Sequence, residues 1–165
     1  LLYGVMLRSG NDAATAIGIA LGGDLDTFIK KMNEKAANLG CKNTKFINPS
    51  GLFDKEHYTT ARELSRISRE AMKNELFREI AKTKVWRGKD SDRTFENKNK
   101  TVTQYEGATG IKIGYTKKSG RTLVASAKRD EVELIVVVLD DANWFEDAYK
   151  LLDYGFERVE NDKKG

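Results

Sequence analysis

At 165 residues the chain is long enough to enclose one proper core, and its 39% apolar and 33% charged residues fit a globular protein with a well-charged surface. No apolar run is long enough to cross a bilayer, the single cysteine excludes an internal disulfide, and a net charge of +4 without any nucleic-acid motif argues against a nucleic-acid partner. The sequence opens at Leu1-Leu2 with neither a Met nor a signal peptide, so it reads as a fragment or a processed product.

Gly4 to Leu21 is rich in Ala, Ile, Leu and Met and predicts helix, ended by Gly22-Gly23. Ser9-Gly10-Asn11 interrupts this run, and the Ser and Asn oxygens are suited to cap the helix that follows. Asp24 starts a second helix with Leu25, Phe28, Met32 and Leu39 as its buried stripe and Gly40 as its stop. Cys41 is expected to pack as a small apolar residue. Asn43 to Phe53 is a loop holding the only proline. His57 lies in the loop before Thr60-Ala61-Arg62-Glu63, a capping box that launches a helix with Leu64, Ile67 and Ala71 inside. A shorter helix follows from Glu75 to Ala81. Residues 1–82 are therefore expected to form a helical lobe.

After Lys82 the texture changes. The basic run from Lys82 to Arg93, interrupted by Asp90 and Asp92, reads as a solvated face. Polar residues fill Lys89 to Gln104, a loop or a loosely paired hairpin. Gly110–Tyr115, Thr122–Lys128 and Val132–Leu139 are strand candidates separated by short turns, so antiparallel pairing is expected. The nearly all-apolar Val132–Leu139 fits a central strand covered on both faces. A second capping-box start at Asn143 opens a final helix that runs to about Val159. Residues 83–160 are thus expected to form the sheet and C-terminal helix of the same domain, with 161–165 a polar tail. The fold class is α+β.

Two short strings carry chemistry: Ser9-Gly10-Asn11 before a small-residue helix, and Lys112-Ile113-Gly114-Tyr115-Thr116 opening a strand. Taken singly, Ser9 and Asn11 suit helix caps and Lys112 suits a solvated edge strand. Asp, Glu and His show no metal-ligand spacing, and no Gly-rich phosphate loop is present. Around the two strings lie further ordered blocks. These are Leu2-Tyr3-Gly4-Val5-Met6-Leu7, Met32-Asn33-Glu34-Lys35-Ala36, Asn43 to Leu52, His57 to Leu64, and Leu123-Val124-Ala125-Ser126-Ala127. Together they resemble the serine-type D-alanyl-D-alanine carboxypeptidases, the low-molecular-weight penicillin-binding proteins, along nearly the whole chain.

The resemblance implies a transpeptidase/β-lactamase-like fold, with a helical lobe beside an antiparallel sheet and a C-terminal helix. It implies removal of the terminal D-Ala from peptidoglycan stem peptides through an acyl-enzyme, outside the membrane in the bacterial envelope, with no cofactor. β-Lactams would acylate the same nucleophile. Ser9 would relay a proton toward the leaving amine, Asn11 would bind the substrate backbone, and Lys112 would orient Ser9 and make the cleft positive. Ile113, Gly114 and Thr116 would line the substrate, with Gly114 leaving room for it against the strand. The resemblance gives His57 no catalytic part.

Two departures stand out. No Ser in this sequence has Lys three residues later, so the nucleophile motif and the family's first two strands would lie upstream of Leu1. Ile113 also stands where the family carries Thr, so one hydrogen bond to the substrate carboxylate, worth about 1.5–3 kcal/mol, is lost. The chain by itself is therefore expected to be inactive and, with Val132–Leu139 left as an open edge, to pair with a second copy. The parent is expected to reach the membrane through a segment outside this sequence. The competing reading is a non-catalytic relative that binds cell-wall peptide or a partner protein; a β-lactamase is a weaker third.

Overall fold

A computed structural model describes residues 1–89 and 91–164; Asp90 of the basic run and Gly165 of the expected tail lie outside the described residues. Two short helices open the chain, α1 (Leu2–Arg8) and α2 (Asn11–Gly22). The break between them is made by Ser9, which adopts left-handed angles of φ 58° and ψ 44°. That conformation lets the Ser9 N–H reach the Val5 carbonyl at 3.0 Å and the Gly10 N–H reach Gly4 at 3.1 Å, closing the last turn of α1. The expected capping of α2 by Ser9 or Asn11 does not occur. Gly10 occupies the cap position without a side-chain bond, and Asp12 Oδ1 instead accepts the Ala13 N–H at 2.8 Å.

Helix α3 (Leu25–Asn38) begins as read, with Asp24 Oδ1 accepting the Thr27 N–H at 2.8 Å. Its stripe of Leu25, Phe28, Met32 and Leu39 is half-buried, and Ala36 alone in this helix is fully enclosed. Phe28 packs so close to α2 that a Cβ at Gly22 would lie 2.8 Å from the Phe28 backbone nitrogen. Helix α4 (Ala61–Ala71) is capped by Thr60 Oγ1, which accepts the Glu63 N–H at 3.2 Å. The second half of the expected capping box is absent. Glu63, 5% exposed, turns to the preceding loop and accepts from the Lys42 N–H (2.8 Å), the Asn43 N–H (2.9 Å) and the Thr44 hydroxyl (2.6 Å). These bonds, Thr44 first, hold its carboxyl below the usual range and staple residues 42–44 to α4.

Helix α5 (Glu75–Lys82) leads into a hairpin of β1 (Val85–Arg87) and β2 (Thr94–Glu96), so the polar stretch is partly paired. Trp86 is stacked between Tyr3 and Phe95, with centroid distances of 5.3 and 5.1 Å, and this pins the hairpin on α1. A one-turn helix, α6 (Thr101–Gln104), was not expected from the sequence.

The three strands β3 (Ala108–Thr116), β4 (Gly120–Arg129) and β5 (Val132–Val138) form an antiparallel sheet in the order β3-β4-β5. Among the described residues β4 is paired on both sides and β5 on one side only, the open edge expected of the chain by itself. Side chains alternate between the two faces of β4. Leu123, Ala125 and Ala127 face Val138 and the residues Ala148, Leu152 and Phe156 of helix α7 (Trp144–Lys164). Val124 faces the other way, into a cluster with Met72 of the α4–α5 turn and Ile111 of β3, flanked by Leu64 and Phe77. The small Ala125 and Ala127 let helix and sheet approach closely. Helix α7 also continues through Asn161–Lys164, where the sequence suggested a tail; those residues are exposed.

Candidate active site

The Lys112 ammonium donates a hydrogen bond to Ser9 Oγ, joining β3 to the junction of α1 and α2 across 103 residues of sequence. It also donates to the neighbouring Ile113 carbonyl at 2.9 Å. Both ends of this contact are fixed by local structure. Leu7, 1% exposed, anchors the last turn of α1, and the left-handed turn at Ser9 follows directly. Lys112 is held in register opposite Val124 at the middle of the sheet.

Burial lowers the Lys112 pKa to about 8, and the nearby positive charge of Lys98 adds to the shift. An ammonium so close to its deprotonation point, in contact with a hydroxyl, can pass a proton through that hydroxyl near neutral pH. Ser9 itself is exposed, so its oxygen is accessible from solvent.

The remaining candidates are placed differently. Asn11 is exposed at the first position of α2. Ile113, opposite Leu123, turns its side chain into the core shared with α7; what it presents on the Lys112 side is its carbonyl. Gly114 lies opposite Thr122, whose hydroxyl donates to the Gly114 carbonyl at 3.2 Å. A Cβ at Gly114 would sit 2.6 Å from that Thr122 oxygen, so a side chain there would displace the Thr122 hydroxyl from the Gly114 carbonyl. Thr116 Oγ1 accepts the Ser119 N–H at 2.9 Å and so closes the β3–β4 turn.

His57 has a structural place, as read. Its Nδ1 accepts the Ile47 N–H at 3.3 Å, its ring meets Phe46 edge-on, and burial pushes its pKa down. Among the described residues no cluster of His, Cys, Asp and Glu could hold a metal ion, and no helix is long and apolar enough to cross a membrane. An open cleft of about 850 Å³ lies between α4 and the β5 edge, lined by Arg62, Arg69, Arg78, Glu133 and Ile135; it includes neither Ser9 nor Lys112.

Sequence reasoning missed Lys98. It lies in Asn97-Lys98-Asn99, a stretch that reads as polar loop, and nothing in its spacing from Lys112 signals that the two share a field. The repeated asparagines were the available signal, because Asn side chains build local turns.

A family model described as D-alanyl-D-alanine carboxypeptidase matches residues 1–143. The chain is 35% identical over 166 residues to the D-alanyl-D-alanine carboxypeptidase DacF of Bacillus subtilis, covering 97% of this chain and 43% of that protein. It is 36% identical to the D-alanyl-D-alanine carboxypeptidase of Streptomyces sp. K15, covering 94% of this chain and 60% of that one. The crystal structure of the Streptomyces K15 DD-transpeptidase superposes with a TM-score of 0.90 at 35% identity, over 94% of this chain and 66% of the other. The chain thus spans roughly half the length of the curated relatives it matches.

Proposed function

The chain belongs to the D-alanyl-D-alanine carboxypeptidase family, and on that premise we propose that it supplies the Ser9–Lys112 side of a serine acyl-transfer site. The reaction is removal of the terminal D-Ala from peptidoglycan stem peptides, in the bacterial cell envelope, through an acyl-enzyme. The nucleophilic Ser of a Ser-x-x-Lys motif does not occur in these 165 residues, and this reading assigns it to a further segment of the same gene product.

The observation that carries the reading is the Lys112–Ser9 hydrogen bond. Expulsion of D-Ala requires a proton on the leaving nitrogen and a positive field around the substrate carboxylate. Ser9 is exposed and can hand over a proton, Lys112 can replace it, and the lowered lysine pKa keeps that exchange within reach at neutral pH. Asn11, exposed at the start of α2 two residues after Ser9, serves as substrate ligand. Ile113 contributes its carbonyl, and Gly114 and Thr116 keep β3 flat and its turn closed beside the peptide. β-Lactams occupy the same site as acylating inhibitors.

The test is made on the full gene product. D-Ala release from a D-Ala-D-Ala peptide and a stoichiometric penicillin adduct are expected. Ser9→Ala and Lys112→Ala should each lower kcat/KM by about 10²–10⁴-fold. The 165-residue chain alone should form no adduct by mass spectrometry. A gene product that neither releases D-Ala nor accepts penicillin sinks the reading and favours a non-catalytic peptide-binding relative.

A further inference from the structure

Strand β3 carries one residue more than its partner. Ala108 pairs with Ala127 and Gly110 with Ser126, so Thr109 stands opposite no residue of β4. This bulge changes which side chains share a face. In a regular strand, residues three apart point to opposite faces. Thr109 and Lys112 point to the same one. Thr109 Oγ1 lies 2.7 Å from Ser126 Oγ, and Ser126 alternates with Ala125 and Ala127, so it shares with Val124 the face turned away from α7. Lys112 stands opposite Val124 and meets Ser9 on that face.

Side chains from three other elements hold the bulge. Thr109 Oγ1 donates to Glu133 Oε1 at 2.8 Å, so a carboxylate on β5 reaches across β4 to β3. The Thr109 hydroxyl has a single proton, which goes to that carboxylate, and Ser126 therefore donates to Thr109. Ser126 is fully buried, where a hydroxyl needs such a partner. Glu133 is fixed in turn by Arg78 of α5, whose Nη1 donates to Oε2 at 2.8 Å and to the Met72 carbonyl at 3.2 Å. Helix α5 also closes on the bulge directly: a Cβ at Gly110 would lie 3.0 Å from the Ala81 Cβ. Glu133 itself makes no hydrogen bond or ion pair with Ser9 or Lys112.

We propose that Glu133, acting through Thr109, is a positioning residue for acyl transfer: it holds the β3 bulge and so keeps Lys112, and not Ile113, turned toward Ser9. This rests on the acyl-transfer reading above and adds to it a residue that lies outside the Ser9–Lys112 contact. Once Thr109 loses its anchor, the stretch of β3 beyond it is free to slip by one position, and such a slip exchanges the faces of Lys112 and Ile113. Ile113 packs against the core beneath α7, so a slipped lysine would be aimed at apolar surroundings and away from Ser9.

The experiment uses the full gene product with Thr109→Val, which keeps the shape and removes the hydroxyl, Thr109→Ser, which keeps the hydroxyl, and Glu133→Ala. D-Ala release from a D-Ala-D-Ala peptide is measured well below each melting temperature. Thr109→Val and Glu133→Ala should each lower kcat/KM about 10- to 100-fold, while Thr109→Ser should stay within about threefold of wild type. In a Lys112→Ala background, Thr109→Val should change the remaining rate by less than about twofold, because no lysine is left to place. Where Glu133→Ala alone unfolds the protein, Arg78→Ala/Glu133→Ala removes the unpaired arginine with it. An unchanged kcat/KM in Thr109→Val or Glu133→Ala, an equal loss in Thr109→Ser, or the same loss with and without Lys112 would each overturn the inference and leave the acyl-transfer reading standing. A wild-type gene product that shows neither D-Ala release nor acylation by penicillin overturns that reading, and this inference with it.

Discussion

Ser9 and Lys112 meet because a left-handed serine ends α1 at the point where the middle of β3 presents a half-buried lysine. Neither residue could be replaced by a shift of one position. Turning β3 by one residue would send the lysine into the α7 core, where Ile113 now packs.

The partly buried ammonium of Lys112 makes stability depend on pH. Its folded pKa, about 8, lies below the ordinary lysine value of 10.5, so the unfolded chain binds more protons between those limits. Stability should therefore rise as pH increases through about 8 to 10.5 from this group alone. Lys112→Met should flatten that rise and stabilise the fold at pH 7 by about 1–3 kcal/mol, at the expense of activity. Urea melts at pH 7 and 10 check this; a Lys112→Met protein less stable than wild type at pH 7 would contradict it.

His57 should act in the opposite part of the pH scale. Burial favours its neutral form, and the Nδ1 that accepts the Ile47 N–H can do so only without a proton. Its folded pKa lies below 6.5, so its contribution is complete above that value and is lost as pH falls below it toward the folded pKa. His57→Gln should weaken this acid sensitivity without changing catalysis. Melting temperatures measured from pH 7 to pH 5 would show parallel curves for the two proteins if the imidazole is not responsible.

The β5 edge sets the behaviour of the isolated chain. Val132–Val138 is apolar apart from Glu133 and has a hydrogen-bonded neighbour on one side only, next to the open cleft beside α4. Unpaired strand edges of this kind recruit other strands. The 165-residue chain should sediment as a dimer or larger species, and Ile135→Lys, at the β5 residue that lines the open cleft, should shift it toward monomer. A wild-type monomer at concentrations of about 100 μM, well above those of a stable dimer, would show that this edge is protected in solution.

Much of this molecule was legible as sequence. Helical periodicity located α3, α4 and α5, and turn residues separated β3, β4 and β5, because those signals act within a few residues of one another. Ser9 and Lys112 were legible through the blocks around them. What the chain alone did not show was decided by neighbours distant in sequence. Small residues on β4 read as nothing in particular, yet Ala125 and Ala127, beside Leu123 and Val138, are the floor on which Ala148, Leu152 and Phe156 of α7 pack. Glu63 reads as half of a capping box, yet three donors from residues 42–44 outbid the single Thr60 N–H. Lys98 reads as a loop lysine, and only the fold ties its backbone N–H to the Leu7 carbonyl, two residues before Ser9. Local propensity and spacing determine which elements form. Which faces are covered, and which charges share a space, depends on packing between elements, and no pattern within one element encodes it.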